Sequence, residues 1–235
     1  MLFSSKNNLK HVENITIMVG ETSFLASNDS IRNLGAHFTQ QMDMEKHVNT
    51  LCRSTDHQLK NIGRIRKYLT TDATKTLVNC LVTSKLHYCN SLLFGIPKLT
   101  VNKLQRVQNT AARIITKTPR HDHITPVLKE LHWLPICQRI DYKVLLYTYK
   151  ALHGQCPQYI IDLLCVYRPA RDLRSSSSLT LVVPRTRTVT FGNRSFSHAA
   201  PRLWNALPES VRNAQTLNAF KRQLKTHLFR SYYVE

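Results

Sequence analysis

Acidic residues are few in this chain, 14 Asp and Glu against 33 Lys and Arg. The formal charge of +19 exceeds what solubility requires and predicts a polyanionic partner. Glycine is also scarce, at 6 residues with 9 prolines, which excludes the collagenous and low-complexity disordered classes and leaves no Gly-rich nucleotide loop. No stretch approaches the roughly 18 to 20 consecutive apolar residues of a membrane span. The N-terminal MLFSSKNNLK lacks the apolar block of a signal peptide, so the sequence predicts an intracellular protein of nucleus or cytoplasm with no membrane partner. Close cysteine pairs are missing too. Cys52, Cys80, Cys89, Cys137, Cys156 and Cys165 form no Cys-x-x-Cys and are read as reduced, mostly core thiols, with no metal site and no cofactor in this chain. His121 and His123 lack the Cys or carboxylate spacing of a metal site and suit a loop or helix cap.

What is present is a globular composition, 42% hydrophobic over 235 residues, enough for one domain or two small ones. The charge is unevenly placed. From Met1 to Gln40, Lys6, Lys10 and Arg32 balance Glu13, Glu21 and Asp29. Here Ile15, Ile17 and Val19 alternate at period two, and Ile31 to Phe38 follows, which predicts two short strands.

From Met42 to about Tyr68 the period becomes helical, with Met44, Val48, Leu51, Leu59, Ile62 and Leu69 on one face and Asp43 placed to cap the start. Arg53, His57, Lys60, Arg64 and Lys67 follow at steps of four and three, a basic stripe weakened only by Gly63. Thr70-Thr71-Asp72 opens a second, apolar helix through Leu77, Val78, Leu81, Val82, Tyr88 and Leu92, closed by Gly95 and Pro97. A third helix from near Thr100 buries Val101, Leu104, Val107 and Ala111. Lys103, Arg106, Arg113 and Lys117 lie opposite as a second basic stripe. Lysines and arginines dominate the whole stretch from Met42 to Thr118, where the acids are Asp43, Glu45, Asp56 and Asp72.

Thr125-Pro126 reads as an N-cap with Pro at the first helical position, and Trp133-Leu134-Pro135 starts another helix that Gly154 ends. Arg171 to Ser178 reads as a linker. Leu181 to Val183 and Thr188 to Phe191 are predicted strands, and a basic helix runs from about Thr216 with Leu217, Phe220, Leu224 and Leu228 inward. Trp133 and Trp204 are read as core anchors. The expected fold is mainly α, of the α+β kind: a short N-terminal β-hairpin at 1–40 and a basic helical bundle at 41–120. A helical extension at 121–170, the linker at 171–180, and a small β element with the terminal helix at 181–235 complete it.

Five segments occur in order: IRNLGAHF (Ile31 to Phe38), LVTSKLHYCNSLLFGIP (Leu81 to Pro97), LQRVQNTAARIIT (Leu104 to Thr116), HITPVLKELHWLPICQRID (His123 to Asp141) and FSHAAPRLWNALP (Phe196 to Pro208). Together they resemble the C-terminal part of LINE-type, non-LTR retrotransposon reverse transcriptases, over nearly the entire chain. The resemblance implies that Leu34 and Gly35 belong to the palm-closing hairpin that helps hold the primer end. It implies that the next helices form a thumb against the template-primer duplex. The residues after Thr125 correspond to the C-terminal extension.

The chain departs from that family at the chemistry. Reverse transcriptases use two magnesium ions on palm carboxylates, including an Asp-Asp box. No Asp-Asp pair occurs here, and the palm and endonuclease elements would precede Met1. The expectation is a non-catalytic fragment of an RNA-directed DNA polymerase that grips RNA, DNA or RNA-DNA hybrid through Arg53, Lys60, Arg64, Lys67, Lys103, Arg106, Arg113 and Lys117, with the palm as a further partner. The alternatives are a stand-alone, sequence-tolerant nucleic-acid binder and a decayed element without function. The helical segment after the Leu-Gly hairpin also resembles a region labelled with AlkB homologues. That oxygenase or methyltransferase reading is disfavoured: an oxygenase needs a His-x-Asp/Glu pair and a distal His, for which the only near match is His11-Val12-Glu13, and a methyltransferase needs a Gly-rich nucleotide loop that the sequence lacks.

Overall fold

The computed structural model describes residues 3–4, 6–9, 15–25, 30–168 and 179–234. The expected linker, apart from Leu179 and Thr180, and His11-Val12-Glu13 lie outside the described residues. The fold is mainly helical, with two small antiparallel strand pairs near the N-terminus. It divides into two compact units, one of residues 1–89 and 96–107, the other of 90–95 and 108–235.

In the first unit a one-turn helix α1 (Lys6–Leu9) precedes β1 (Thr16–Val19) and β2 (Thr22–Leu25), which pair from Thr16 with Leu25 to Val19 with Thr22. Every residue of this first hairpin is exposed. The second, β3 (Ile31–Asn33) with β4 (Ala36–Phe38), buries Ala36 and packs β4 on the long helix α2 (Glu45–Ile65). Val48, Thr55, Leu59 and Ile62 form the inner face of α2. Asp43 does serve its start: its Oδ1 accepts from the Glu45 N–H at 3.0 Å and from the Thr39 hydroxyl at 3.0 Å, while Met44 in left-handed geometry occupies the cap position.

Thr70 caps α3 (Thr71–Val78), its hydroxyl accepting from the Ala73 N–H at 3.2 Å. A π-helical turn at Asn79–Thr83 carries α3 into α4 (Ser84–His87). The reason lies in the buried set Thr74, Val78, Val82 and Leu86, spaced strictly by four. Steps of four drift by about 40° each on an ideal α-helix, and one wider turn brings them back into line. The apolar stripe expected to run on through Tyr88 and Leu92 stops here. Cys89 takes φ 51, and Leu81, Tyr88 and Leu92 are exposed.

Helix α5 (Lys98–Thr116) begins in the first unit and ends in the second. There α6 (Ile124–Glu130), α7 (Ile136–Leu152), the short α8 (Gln158–Ile161), α9 (Phe196–Asn205), α10 (Glu209–Arg212) and α11 (Leu217–Tyr233) follow. Helix α6 starts one residue before Thr125, behind His123, whose side chain makes no cap bond, so the Thr125 N-cap does not form. Gly154 does end α7 as expected, with φ 64. Its N–H reaches the Ala151 carbonyl, and the Gln155 N–H reaches that of Lys150 at 2.7 Å, a Schellman closure.

The core of this unit joins Leu145 and Tyr149 of α7, Trp204 of α9, and Phe220, Leu224 and Leu228 of α11. Tyr149 stacks on Phe220 with ring centroids 4.2 Å apart. Both polar handles are satisfied, the Tyr149 hydroxyl by the Ala214 carbonyl and the Trp204 Nε1–H by that of Leu179, each at 2.9 Å.

The two strands expected at 181–191 do not form. Leu181 makes only an isolated bridge to Val166. The Asn205 side-chain amide takes the place of a partner strand: its Oδ1 accepts from the Leu181 N–H at 2.9 Å and its Nδ2 donates to the Leu181 carbonyl at 2.7 Å. Thr188 and Thr186 spend their hydroxyls on a turn, through the Gly192 N–H and Asn193 Oδ1. The cysteines also differ from expectation. All six are free thiols, and none is fully buried.

Burial raises the Asp141 carboxyl of α7 to about 6, with Arg202 pulling weakly the other way. A carboxyl whose folded value is raised stabilises the fold fully below its ordinary 3.8 and loses that contribution as pH rises through about 6. Asp141→Asn is therefore expected to raise stability on the order of 2 kcal/mol at pH 8 and to change little near pH 3, read by urea denaturation at both.

Candidate nucleic-acid interface

The basic stripe of α2 forms as the spacing predicts. Arg53, His57, Lys60 and Arg64 are exposed along α2, and Lys67 continues them on the 3-10 turn Arg66–Tyr68. From Arg53 to Lys67 the row runs about 20 Å. Ion pairs among the described residues include Lys75 with Asp72, Lys103 with Glu45 and His121 with Asp122. None of them draws on this row. His57 is hydrogen-bonded to Asn61, and Lys67 lies 4.7 Å over the Tyr68 ring. Arg66, adjacent in sequence, is instead buried and donates to the Leu69 carbonyl at 2.8 Å.

The second stripe is not brought together in the same way. Lys103 and Arg106 belong to the first unit, Arg113 and Lys117 to the second. The Lys103 Nζ is committed to α2, 3.0 Å from Glu45 Oε1 and 2.9 Å from Asn49 Oδ1. Arg113 closes the loop after α5 through the carbonyls of Pro119 and Asp122. Arg106 and Lys117 are exposed, Lys117 at φ 58 where the helix ends. Lys85, on α4, donates to the Ser54 hydroxyl at 2.7 Å.

Leu34 and Gly35 form the two-residue turn between β3 and β4, at φ 46 and φ 85. Positive φ at both positions is the type I′ arrangement, which Asn-Gly fills at least cost. A leucine there, 84% exposed, is unfavourable twice over, in backbone and in solvation. The turn is pinned by Tyr88, whose hydroxyl donates to the Leu34 carbonyl. Sequence reasoning missed Tyr88, and the available signal was a phenol in an apolar helical pattern, since a Tyr hydroxyl seeks a partner. Leu34→Asn is expected to stabilise the hairpin by about 0.5–1 kcal/mol while weakening any grip that uses the leucine; thermal melting and duplex binding read the two effects separately.

Below the turn, β4 sits on His47 of α2. Its Nδ1 accepts from the His37 N–H at 3.5 Å, its Nε2 is buried without a hydrogen bond, and burial together with His37 lowers its pKa. Burial pushes the Cys52 thiol up to about 11, which makes it a poor nucleophile. Among the described residues no three His, Cys, Asp or Glu side chains come together to hold a metal, and no helix is long and apolar enough to cross a membrane. Comparison with protein-family models, curated proteins and solved structures finds no match.

Proposed function

We propose that this chain grips nucleic acid through its phosphates, as the thumb-like, non-catalytic part of a retrotransposon RNA-directed DNA polymerase. The observation that carries the reading is the row Arg53, Lys60, Arg64 and Lys67, exposed on one side of a buried-faced helix and paired with no carboxylate of the described residues. Mobile cations on a rigid helix suit contacts to phosphate and sugar, which tolerate any sequence. The proposed ligand is an RNA-DNA hybrid, RNA or DNA, and the proposed partner a polymerase palm that would supply magnesium chemistry. The exposed Leu34 of the pinned turn supports a place for that turn at a primer end.

A stand-alone binder is the second reading, favoured by a charge of +19 that asks for a polyanion whatever the parent protein. Binding to an RNA-DNA hybrid, measured across salt, tests both. The expected affinity falls roughly a thousandfold or more between about 50 and 200 mM salt if six or more phosphates are engaged. No binding at low salt would reject both readings. Binding without stimulation of a palm added in trans would favour the second.

A further inference from the structure

In the second unit the C-terminal end of α11 meets the end of α6 through a chain of rings. His132 lies against Phe229 at 5.8 Å between centroids, Phe229 against Tyr233 at 4.7 Å, and Tyr233 against Tyr232 at 4.9 Å and 84°. The inner rings have structural work. Tyr233 donates to the Trp133 carbonyl at 2.8 Å and, with Trp133, packs on Ala112, Val127 and Leu128. The outer two, His132 and Tyr232, are exposed, Tyr232 by 49%.

Cations flank this chain. Lys129 places its Nζ 5.8 Å over the Tyr233 ring and pairs with no carboxylate of the described residues, and the Arg139 guanidinium lies 5.5 Å over Trp133. The backbone at His132 adds an independent sign. With φ 52 it is the left-handed cap of α6, its N–H on the Lys129 carbonyl at 3.0 Å and the Trp133 N–H on that of Leu128 at 2.9 Å. Glycine fills such a cap at lower conformational cost, so an exposed imidazole here is not explained by the helix end.

We propose that His132 and Tyr232, at the two ends of this ring chain, form a stacking surface for unpaired bases along a nucleic-acid single strand, with Lys129 meeting a phosphate of that strand. Two exposed rings at the ends of a ring cluster whose inner ring Tyr233 carries Lys129 match what single-stranded nucleic acid offers, a π-face on every base and a charge on every phosphate. The site deepens the nucleic-acid reading above and differs from it in ligand: the α2 row fits a phosphate backbone of any form, whereas this site requires a base free of its partner.

The test uses the full chain and a 12-mer of uridines carrying one central 2-aminopurine, beside a blunt RNA-DNA hybrid. Binding is expected to quench the 2-aminopurine, and Tyr232→Ala to weaken the single strand roughly tenfold while leaving the hybrid unchanged. Tyr232→Phe should bind as the parent does. His132→Gly keeps the cap and so the fold, and should lose part of the quenching. Lys129→Gln should lower the salt slope for the single strand by about 0.7. Full quenching in both Tyr232→Ala and His132→Gly, or equal losses on hybrid and single strand, would overturn the site. So would a parent dimer that Tyr232→Ala dissociates, which would assign the rings to a protein interface. Hybrid binding with a steep salt slope but no ring dependence rejects this site alone. Ring-dependent single-strand binding without hybrid binding rejects the α2 grip alone.

Discussion

Replacing Arg53, Lys60, Arg64 and Lys67 together by glutamine is expected to weaken RNA-DNA hybrid binding by roughly two to three orders of magnitude at about 0.1 M salt. Each phosphate contact adds a counterion-release term that scales with the logarithm of salt, so four lost contacts should also flatten the salt slope by about 3.6. Stability should hardly move. All four side chains are exposed, none forms an ion pair with a carboxylate of the described residues, and substitutions of that kind stay within about 0.5 kcal/mol each. Lys103→Gln is the informative contrast. Its Nζ already binds Glu45 and Asn49, so its loss should leave the slope nearly unchanged. A four-site variant with the parent's slope would refute the grip.

Trp204→Ala should have the largest effect on the fold, a loss of about 4 kcal/mol, as for other buried aromatic truncations. Trp204 has no exposed surface, touches Phe220 at 5.8 Å between centroids, and gives its Nε1–H to the Leu179 carbonyl. Truncation leaves a cavity and removes one of the two hydrogen bonds to the Leu179 carbonyl, which keeps the one from Arg212 at 3.1 Å. The melting temperature should fall on the order of 10 °C. Hybrid binding through α2 should persist in whatever fraction stays folded, which separates a core anchor from a base-stacking ring. A melting temperature within a degree or two of the parent's would contradict the central place given to Trp204.

Much of this architecture was legible because helices announce themselves by period. The inner face of α2, the Thr70 cap, the Gly154 closure and the inward Phe220, Leu224 and Leu228 of α11 all follow from spacing and cap chemistry. The outer face was legible only in part. Spacing places Arg53, Lys60 and Arg64 on a common side, but it cannot say where a long side chain ends. Arg66 turns inward to Leu69, Lys103 to Glu45, and Arg113 to a loop carbonyl, each choice made by a neighbour that folding supplies.

The misses have the same origin. Leu181 to Val183 and Thr188 to Phe191 carry strand-forming residues, yet the first finds only a single bridge to Val166, and the free edge of Leu181 is taken by the Asn205 amide, 24 residues on. The π-helical turn was hidden because a buried spacing of four reads as helix in any window. Tyr88 and Leu34 lie 54 residues apart, beyond the reach of any local pattern.

The first hairpin, Thr16–Val19 with Thr22–Leu25, leaves Ile17, Met18, Val19, Phe24 and Leu25 exposed, and neither of its outer edges pairs with another strand of the described residues. Such ribbons are kept apart in solution by the like charge of the molecules that carry them. For a protein of +19 that repulsion is strong in dilute buffer and short-ranged at about 1 M salt, where the screening length falls to about 3 Å. The high-salt wash that would strip nucleic acid from the basic helix also removes the barrier to edge-to-edge pairing. Colloidal stability and nucleic-acid release thus pull the choice of buffer in opposite directions.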